Sequence, residues 1–250
     1  MSTPAVVNDP QPGLSEGARL INTFVAPSKT FTDLRRNASW WVPWLLMSVF
    51  AICFLQTVGA KLDWEQVAHN DMQASGKLEK FEQAPPEQQK KIMGFTVTSY
   101  KVASWAAPVT VLLAGLIVAA VLMGLFNFGA GAEVTFKQSM AVVFYAWMPS
   151  ILSSVLGIVS VLVGASSDSF REGFTLKNPV ATNPAYFMDP TKNRCLYGMA
   201  SAADVFVIWI IILAGIGYSS VSKVKKGTAI GMIAAAYIVY KLIASGISAM

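Results

Sequence analysis

The chain has 250 residues, of which 54% are apolar and 13% are charged, and its formal net charge is +5. A soluble domain carries roughly 25% charged residues, so this composition excludes an ordinary soluble enzyme, a disordered chain and a nucleic-acid-binding domain. A basic excess in so apolar a chain favours contact with anionic lipid headgroups over contact with nucleic acid.

Residues 1–39 are polar and come before any long apolar segment. Residues 1–13 are rich in proline and small polar residues, which is typical of a disordered tail. Residues 14–39 have amphipathic helical spacing, with Leu20, Ile21, Phe24 and Val25 on one face. Short helices of this kind either lie on the headgroups or pack against a helix bundle, and the sequence leaves both alternatives open.

A second short helix is predicted after a break at Pro27. Thr30 and Asp33 have capping-box spacing, which predicts that they begin this helix. The helix is expected to end near Asn37 and to direct the two arginines that precede this residue away from its apolar face.

Five stretches are long and apolar enough to cross the ~30 Å of hydrocarbon as helices of about 20 residues. They cover approximately residues 41–60, 105–126, 139–165, 202–221 and 228–249. Helices are predicted because a helix satisfies its own backbone hydrogen bonds in lipid, and these stretches lack the alternation of a barrel strand. The sequence therefore predicts an all-α integral membrane protein, a five-transmembrane-helix bundle with short amphipathic N-terminal helices. Its membrane domain is residues 40–250, with polar loops at 61–104 and 166–201.

Positive charge near the ends of the spans predicts the orientation. Basic residues precede the first span and fill the turn between the fourth and the fifth, namely Arg35, Arg36, Lys223, Lys225 and Lys226. The positive-inside rule then places the N-terminus in the cytoplasm and, with five spans, the C-terminus outside. Residues 1–39 also lack the apolar core of a cleavable signal peptide. The same five basic residues are candidates for binding anionic headgroups or a partner.

Few residues could support catalysis or bind a metal. His69 is the single histidine, and Cys53 and Cys195 lie far apart without disulfide or metal-ligand spacing. The sequence contains no phosphate-binding loop, nucleophile elbow or zinc-binding helix motif. We therefore predict no enzymatic activity, no cofactor and no metal site.

Two ionisable residues fall inside the predicted spans, Asp204 and Lys241. Asp204 lies in the first turn of the fourth span, where it either stabilises the helix N-terminus or forms the site of a transported ion or solute. Lys241 lies near the end of the fifth span and can extend to the interface. Pro149 is expected to kink the third span.

Glycines recur through the spans, and Gly227 and Gly231 form a GxxxG pair. Small residues let helix backbones approach closely, either within one bundle or between two copies of the chain. Packing within the bundle is the expectation, and self-association is the alternative.

Three segments resemble the Yip family, the Ypt/Rab-interacting multi-pass membrane proteins, in its bacterial form. They are APSKTFTDLRRNASWWVPWLL, FKQSMAVVFYAWMPSILSSVLGIV and ADVFVIWIIILAGIGYSSVSKVKKGTAIGMIAAAYIVY, and the resemblance covers roughly residues 15–249. It implies a five-span bundle with a cytoplasmic N-terminus, here in the bacterial cytoplasmic (inner) membrane. Asp204, Trp209, Pro149 and the basic turn match family positions, to which the family assigns no catalytic role.

Together these features predict a non-enzymatic membrane protein that organises the membrane or binds lipids and proteins. Its expected partners are anionic lipid headgroups, further copies of itself or other membrane proteins, and not nucleic acid. Eukaryotic relatives are associated with Rab-type GTPases, which a bacterial protein would not meet. The alternative is a small-solute transporter or channel component that uses Asp204.

Overall fold

The computed structural model describes residues 13–189 and 192–249. Within these ranges the chain is helical and forms no strand. The tail predicted for residues 1–13 lies outside the described residues, apart from Gly13.

Two short helices precede the membrane bundle, and six longer segments build it. The short helices are α1 (Glu16–Val25) and α2 (Pro27–Leu34). The bundle consists of α3 (Trp41–Lys61), α6 (Pro86–Ala130), α7 (Phe136–Ala146), α8 (Pro149–Gly164), α11 (Val205–Val221) and α12 (Lys226–Ala249). Smaller elements fill the two long connections: α4 (Trp64–Ala74), α5 (Leu78–Glu82), α9 (Asp168–Gly173), a 3₁₀ turn (Pro184–Phe187) and α10 (Arg194–Ala200).

The described residues contain four segments long and apolar enough to cross a membrane, namely Trp41–Lys61, Pro86–Ala130, Phe136–Gly164 and Lys226–Ala244. The remaining predicted span corresponds to α11, an apolar helix of 17 residues. At 1.5 Å per residue it is about 25 Å long, near the lower limit for a transmembrane helix. The predicted all-α membrane bundle is confirmed.

The helix that contains the second predicted span begins at Pro86 and not near residue 105. Hydropathy predicts only the part of a helix that lies in the hydrocarbon. The helix can extend beyond the membrane where polar residues also favour helical structure. The third predicted span is divided between α7 and α8, because the backbone turns at Trp147 and Met148. Pro149 begins α8 at a position where its missing N–H costs nothing.

The capping box predicted at Thr30 and Asp33 was wrong. Helix α2 begins at Pro27, and both residues lie inside it with their side chains buried. Their polar atoms bond to Arg19 of α1 instead of to their own helix N-terminus. A capping box does occur at Thr135, where α7 begins.

The buried apolar residues form two clusters, one towards each end of the molecule. The larger cluster joins α2, α6, α7, α11 and α12, and at its centre the rings of Phe126 and Tyr218 stack with centroids 4.3 Å apart. The smaller cluster joins the end of α3 and the start of α4 to α8 through Val58, Trp64 and Val161. The N-terminal helices are therefore part of the larger core.

Candidate interaction surface at the N-terminal end of the bundle

Helix α2 is anchored to the bundle through one aromatic ring. Phe31 is fully buried and lies beside Gly217 of α11 and Val142 of α7. A Cβ at Gly217 would come within 2.9 Å of that ring and 2.5 Å of the Val142 side chain. Glycine therefore gives α2 the space to dock.

Helix α1 packs beside α2 and also contacts α11. The ring of Phe24 meets Trp209 edge-on, with centroids 5.7 Å apart, so Trp209 supports the N-terminal region. Ile21 and Val25, in contrast, are 66% and 73% exposed on the outer face of α1. Of the two alternatives for these helices, the structure shows packing against the bundle, while one apolar edge stays open.

A buried ionic cluster holds the two helices together. The Nε atom of Arg19 donates to Asp33 at 2.7 Å, and its Nη1 atom donates to Glu16 at 3.0 Å. Glu16 also accepts from the Tyr145 hydroxyl of α7 at 2.8 Å. The backbone carbonyl of Arg19 accepts from the hydroxyl of Thr30 at 3.0 Å. The cluster thus ties α1 both to α2 and to the bundle.

Arg19 stays charged in this cluster although it is 2% exposed. Burial alone lowers the pKa of its guanidinium, but the hydrogen bond to Asp33 and the charges of Asp33 and Glu16 raise that pKa overall. The sequence analysis did not predict this cluster, and it did not identify Arg19 as a buried residue. The signal was present in the spacing of Glu16, Arg19 and Thr23, which places a polar stripe along one helix face.

The five basic candidates emerge at the same end of the bundle. Arg35 and Arg36 follow α2 directly. Lys223 and Lys225 lie in the turn between α11 and α12, and Lys226 is the first residue of α12. The contact of Phe31 with Gly217 brings the end of α2 beside the last turns of α11. All five side chains are exposed, and we call them the basic end face: Arg35, Arg36, Lys223, Lys225 and Lys226.

Asp204 lies towards the opposite end and caps α11. Its Oδ1 atom accepts from the backbone N–H groups of Phe206 at 2.9 Å and Val207 at 3.2 Å. Its Oδ2 atom accepts from the Thr182 hydroxyl at 2.5 Å and from Asn183 at 3.3 Å. The carboxylate therefore joins the helix N-terminus to the connection between α9 and α10.

A small cavity of about 220 Å³ borders Asp204. Ser150 and Ser153 line it near the start of α8, which begins at Pro149. The buried Oδ1 atom of Asn183 has no hydrogen-bond partner among the described residues. Lys241 does not lie on this cavity and instead places its Nζ atom 3.4 Å from the Ser201 hydroxyl.

The structure offers no cluster for a metal ion within its described ranges, where no three histidine, cysteine, aspartate or glutamate side chains converge. Cys53 and Cys195 are both free and exposed. A Cβ at Gly227 or Gly231 would meet no described heavy atom within 4 Å, so the GxxxG pair lies on an unoccupied face of α12.

A family model of the Yip1 domain matches residues 21–247. The chain belongs to the Yip1-domain family. The match begins within α1 and ends within α12, so the Yip1 domain here contains the docked α2, the first four predicted spans, nearly all of the fifth and the whole basic end face. No curated protein and no solved structure gives a significant match. Yip1-domain membership and the apolar helices together show a multi-pass integral membrane protein.

Proposed function

We propose that this Yip1-domain protein is a non-enzymatic membrane-organising module that binds anionic lipid headgroups through its basic end face. It acts in the bacterial cytoplasmic (inner) membrane with its N-terminus in the cytoplasm and its C-terminus outside. That orientation follows from the positive-inside rule, because the basic end face lies at the end of the bundle where the N-terminal helices dock.

The observation that carries the proposal is the fixed position of α2. Phe31 in its glycine-lined recess and the buried pair of Arg19 and Asp33 hold this helix to α11 and to α1. Arg35 and Arg36 are therefore presented from a packed scaffold rather than from a free tail. Each basic residue near an anionic surface contributes about 1 kcal/mol, so the five together supply an attraction on the order of several kcal/mol.

The basic end face is also suited to binding a protein partner. An acidic protein surface would meet the same five exposed side chains. Ile21 and Val25 are exposed apolar residues of α1 and would add contact area for a partner that reaches this helix. Self-association through the open face of α12 is compatible with either occupant.

The test compares two variants of equal charge change in full-length protein. The first replaces the basic end face with glutamine, and the second replaces five exposed lysines of the opposite end, Lys61, Lys90, Lys91, Lys101 and Lys192. Both are reconstituted in nanodiscs of mixed phosphatidylglycerol and phosphatidylcholine, and the retained lipid is measured by native mass spectrometry. We expect phosphatidylglycerol enrichment to fall in the first variant only.

Equal enrichment in the two variants would overturn the lipid-binding proposal. In-membrane crosslinking of the same variants tests whether a protein binds the basic end face. A near-stoichiometric protein that is captured by the wild-type chain and by the opposite-end variant, but not by the end-face variant, would assign the face to that partner.

One observation favours the alternative function of a small-solute transporter or channel component that uses Asp204. The unpartnered Oδ1 atom of Asn183 beside a cavity of about 220 Å³ could accept a hydrogen bond from a small solute. Asp204 itself already accepts four hydrogen bonds, which favours the cap. The alternative predicts pH-dependent flux into liposomes that Asp204→Asn abolishes. Absence of flux over a broad solute panel would exclude it.

A further inference from the structure

A second basic site lies at the end of the molecule opposite the basic end face. Helices α4 and α5 fold back beside the N-terminal half of α6 and leave a cleft of about 600 Å³ between them. This volume is within the usual range for small-molecule sites, about 300–1,000 Å³. The segment after α9 closes one side of the cleft with Lys177.

The cleft combines an apolar floor with a basic rim. Met72, Phe81 and Ile92 contribute apolar side chains from α4, α5 and α6. Lys77, Lys80 and Lys177 line the cleft with exposed side chains and form its rim. Among the described residues none of these lysines forms a salt bridge, although the charge of Lys177 acts on Asp71, the acid that lines the cleft.

The one acidic residue among those that line the cleft, Asp71, already forms hydrogen bonds within the protein. The carboxylate of Asp71 accepts from the Tyr100 hydroxyl at 2.8 Å and from the backbone N–H of Leu176 at 3.1 Å. Burial raises the pKa of Asp71 above its usual range. Glu79 of α5 does not line the cleft and accepts instead from Gln83 at 3.4 Å. The charge presented by the lining residues is therefore dominated by the three lysines.

We propose that this cleft binds an anionic amphiphile. Lys77, Lys80 and Lys177 hold its phosphate or carboxylate head, and the apolar floor covers the beginning of its chain. Ile92, Thr96 and Tyr100 line the cleft at successive turns of α6, and the same helix continues into the apolar stretch that begins near the exposed Trp105. The floor therefore leads along α6 towards the membrane, so the ligand can come either from the bilayer or from solution.

The binding test uses the full chain in phosphatidylcholine nanodiscs, titrated with dodecyl phosphate and, separately, with inorganic phosphate. The expected result is saturable binding of dodecyl phosphate and much weaker binding of inorganic phosphate, because only the amphiphile contacts the floor. Replacing Lys77, Lys80 and Lys177 with glutamine should weaken dodecyl phosphate binding about tenfold or more. Replacing Lys61, Lys90 and Lys91, which do not line the cleft, removes the same charge and should leave the affinity unchanged.

A second variant tests the cavity without altering charge. Ala84 lines the cleft, and Ala84→Trp should weaken dodecyl phosphate binding by placing an indole ring in it, with folding checked by elution volume and circular dichroism. Equal loss in the two lysine triples, or equal affinity for the amphiphile and inorganic phosphate, would overturn the proposal. Including phosphatidylglycerol in the nanodisc separates the sources: competition assigns the cleft to a bilayer lipid, and undiminished binding assigns it to a soluble amphiphile.

Discussion

The Nε atom of Arg19 lies 2.7 Å from the Oδ2 atom of Asp33, and this ion pair joins the two N-terminal helices where almost no solvent reaches. A buried pair of this kind contributes little net stability compared with apolar side chains of the same shape, yet breaking it leaves a buried charge without its partner. The pair therefore acts mainly to specify how α1 and α2 dock, and through them where Arg35 and Arg36 are presented.

Replacing Arg19 should destabilise the protein far more than replacing an arginine of the basic end face. Arg19→Gln leaves Asp33 buried without its cation, which costs about 3–5 kcal/mol, whereas Arg35→Gln changes an exposed side chain and should stay within about 0.5 kcal/mol. Thermal unfolding in neutral detergent measures both. The double replacement Arg19→Met with Asp33→Leu should recover part of the loss. Equal stability of Arg19→Gln and Arg35→Gln would contradict the role given to the pair.

Glycines of two neighbouring helices should respond in opposite ways to the same substitution. A Cβ at Gly215 would lie 2.7 Å from the Cα atom of Ile230 and 2.9 Å from its backbone nitrogen. The backbone of α12 cannot move aside as a side chain can, so Gly215→Ala should cost about 1–3 kcal/mol. Gly231→Ala meets open space and should be neutral or stabilising by up to about 1 kcal/mol through helix propensity. Unfolding midpoints of the two variants should therefore differ, and similar midpoints would contradict the close approach of α11 and α12.

The sequence was sufficient for the helical membrane class because hydropathy and length alone determine which segments can cross a bilayer. The helix boundaries were harder to predict from the sequence. The pair Pro85 and Pro86 indicates a turn between two polar helices, but nothing in hydropathy shows that the helix beginning at Pro86 continues without a break into the second span. The docking of α2 was also hidden, because Thr30 and Asp33 have the spacing of a helix cap. Only the tertiary position of Arg19 shows that they serve a contact between helices.

The cleft shared by α4 and α6 should give the protein a specific pH dependence. Because burial raises the pKa of Asp71, the folded protein binds this proton more tightly than the unfolded chain does. The stability contributed by protonated Asp71 is therefore complete below its ordinary pKa of 3.8 and is lost as the pH rises through the raised value in the folded state. Asp71→Asn removes this titration.

The measurement is the unfolding midpoint in neutral detergent for wild type and Asp71→Asn over a series of pH values. The midpoint of the variant relative to wild type should rise as the pH increases from below 3.8 towards neutrality. Tyr100→Phe, which removes a hydrogen bond to the carboxylate without removing the acid, serves as the control and should retain the titration. A relative midpoint that falls with increasing pH would show that the pKa of Asp71 is lowered on folding.

Two substitutions of Asp204 distinguish a helix cap from a carboxylate whose charge is required for function. As the residue before α11, it accepts from the backbone N–H groups of Phe206 and Val207. Asparagine caps a helix about as well as aspartate, whereas alanine lacks the acceptor and costs about 0.5–2 kcal/mol. The cap therefore predicts a smaller fall in the midpoint for Asp204→Asn, which keeps the capping oxygen but loses the oxygen that accepts from Thr182 and Asn183, than for Asp204→Ala. A requirement for the charge itself would make the two variants equally defective in a liposome flux assay, even though Asp204→Asn is folded. Comparing stability and flux in the same two proteins thus decides which property of Asp204 matters.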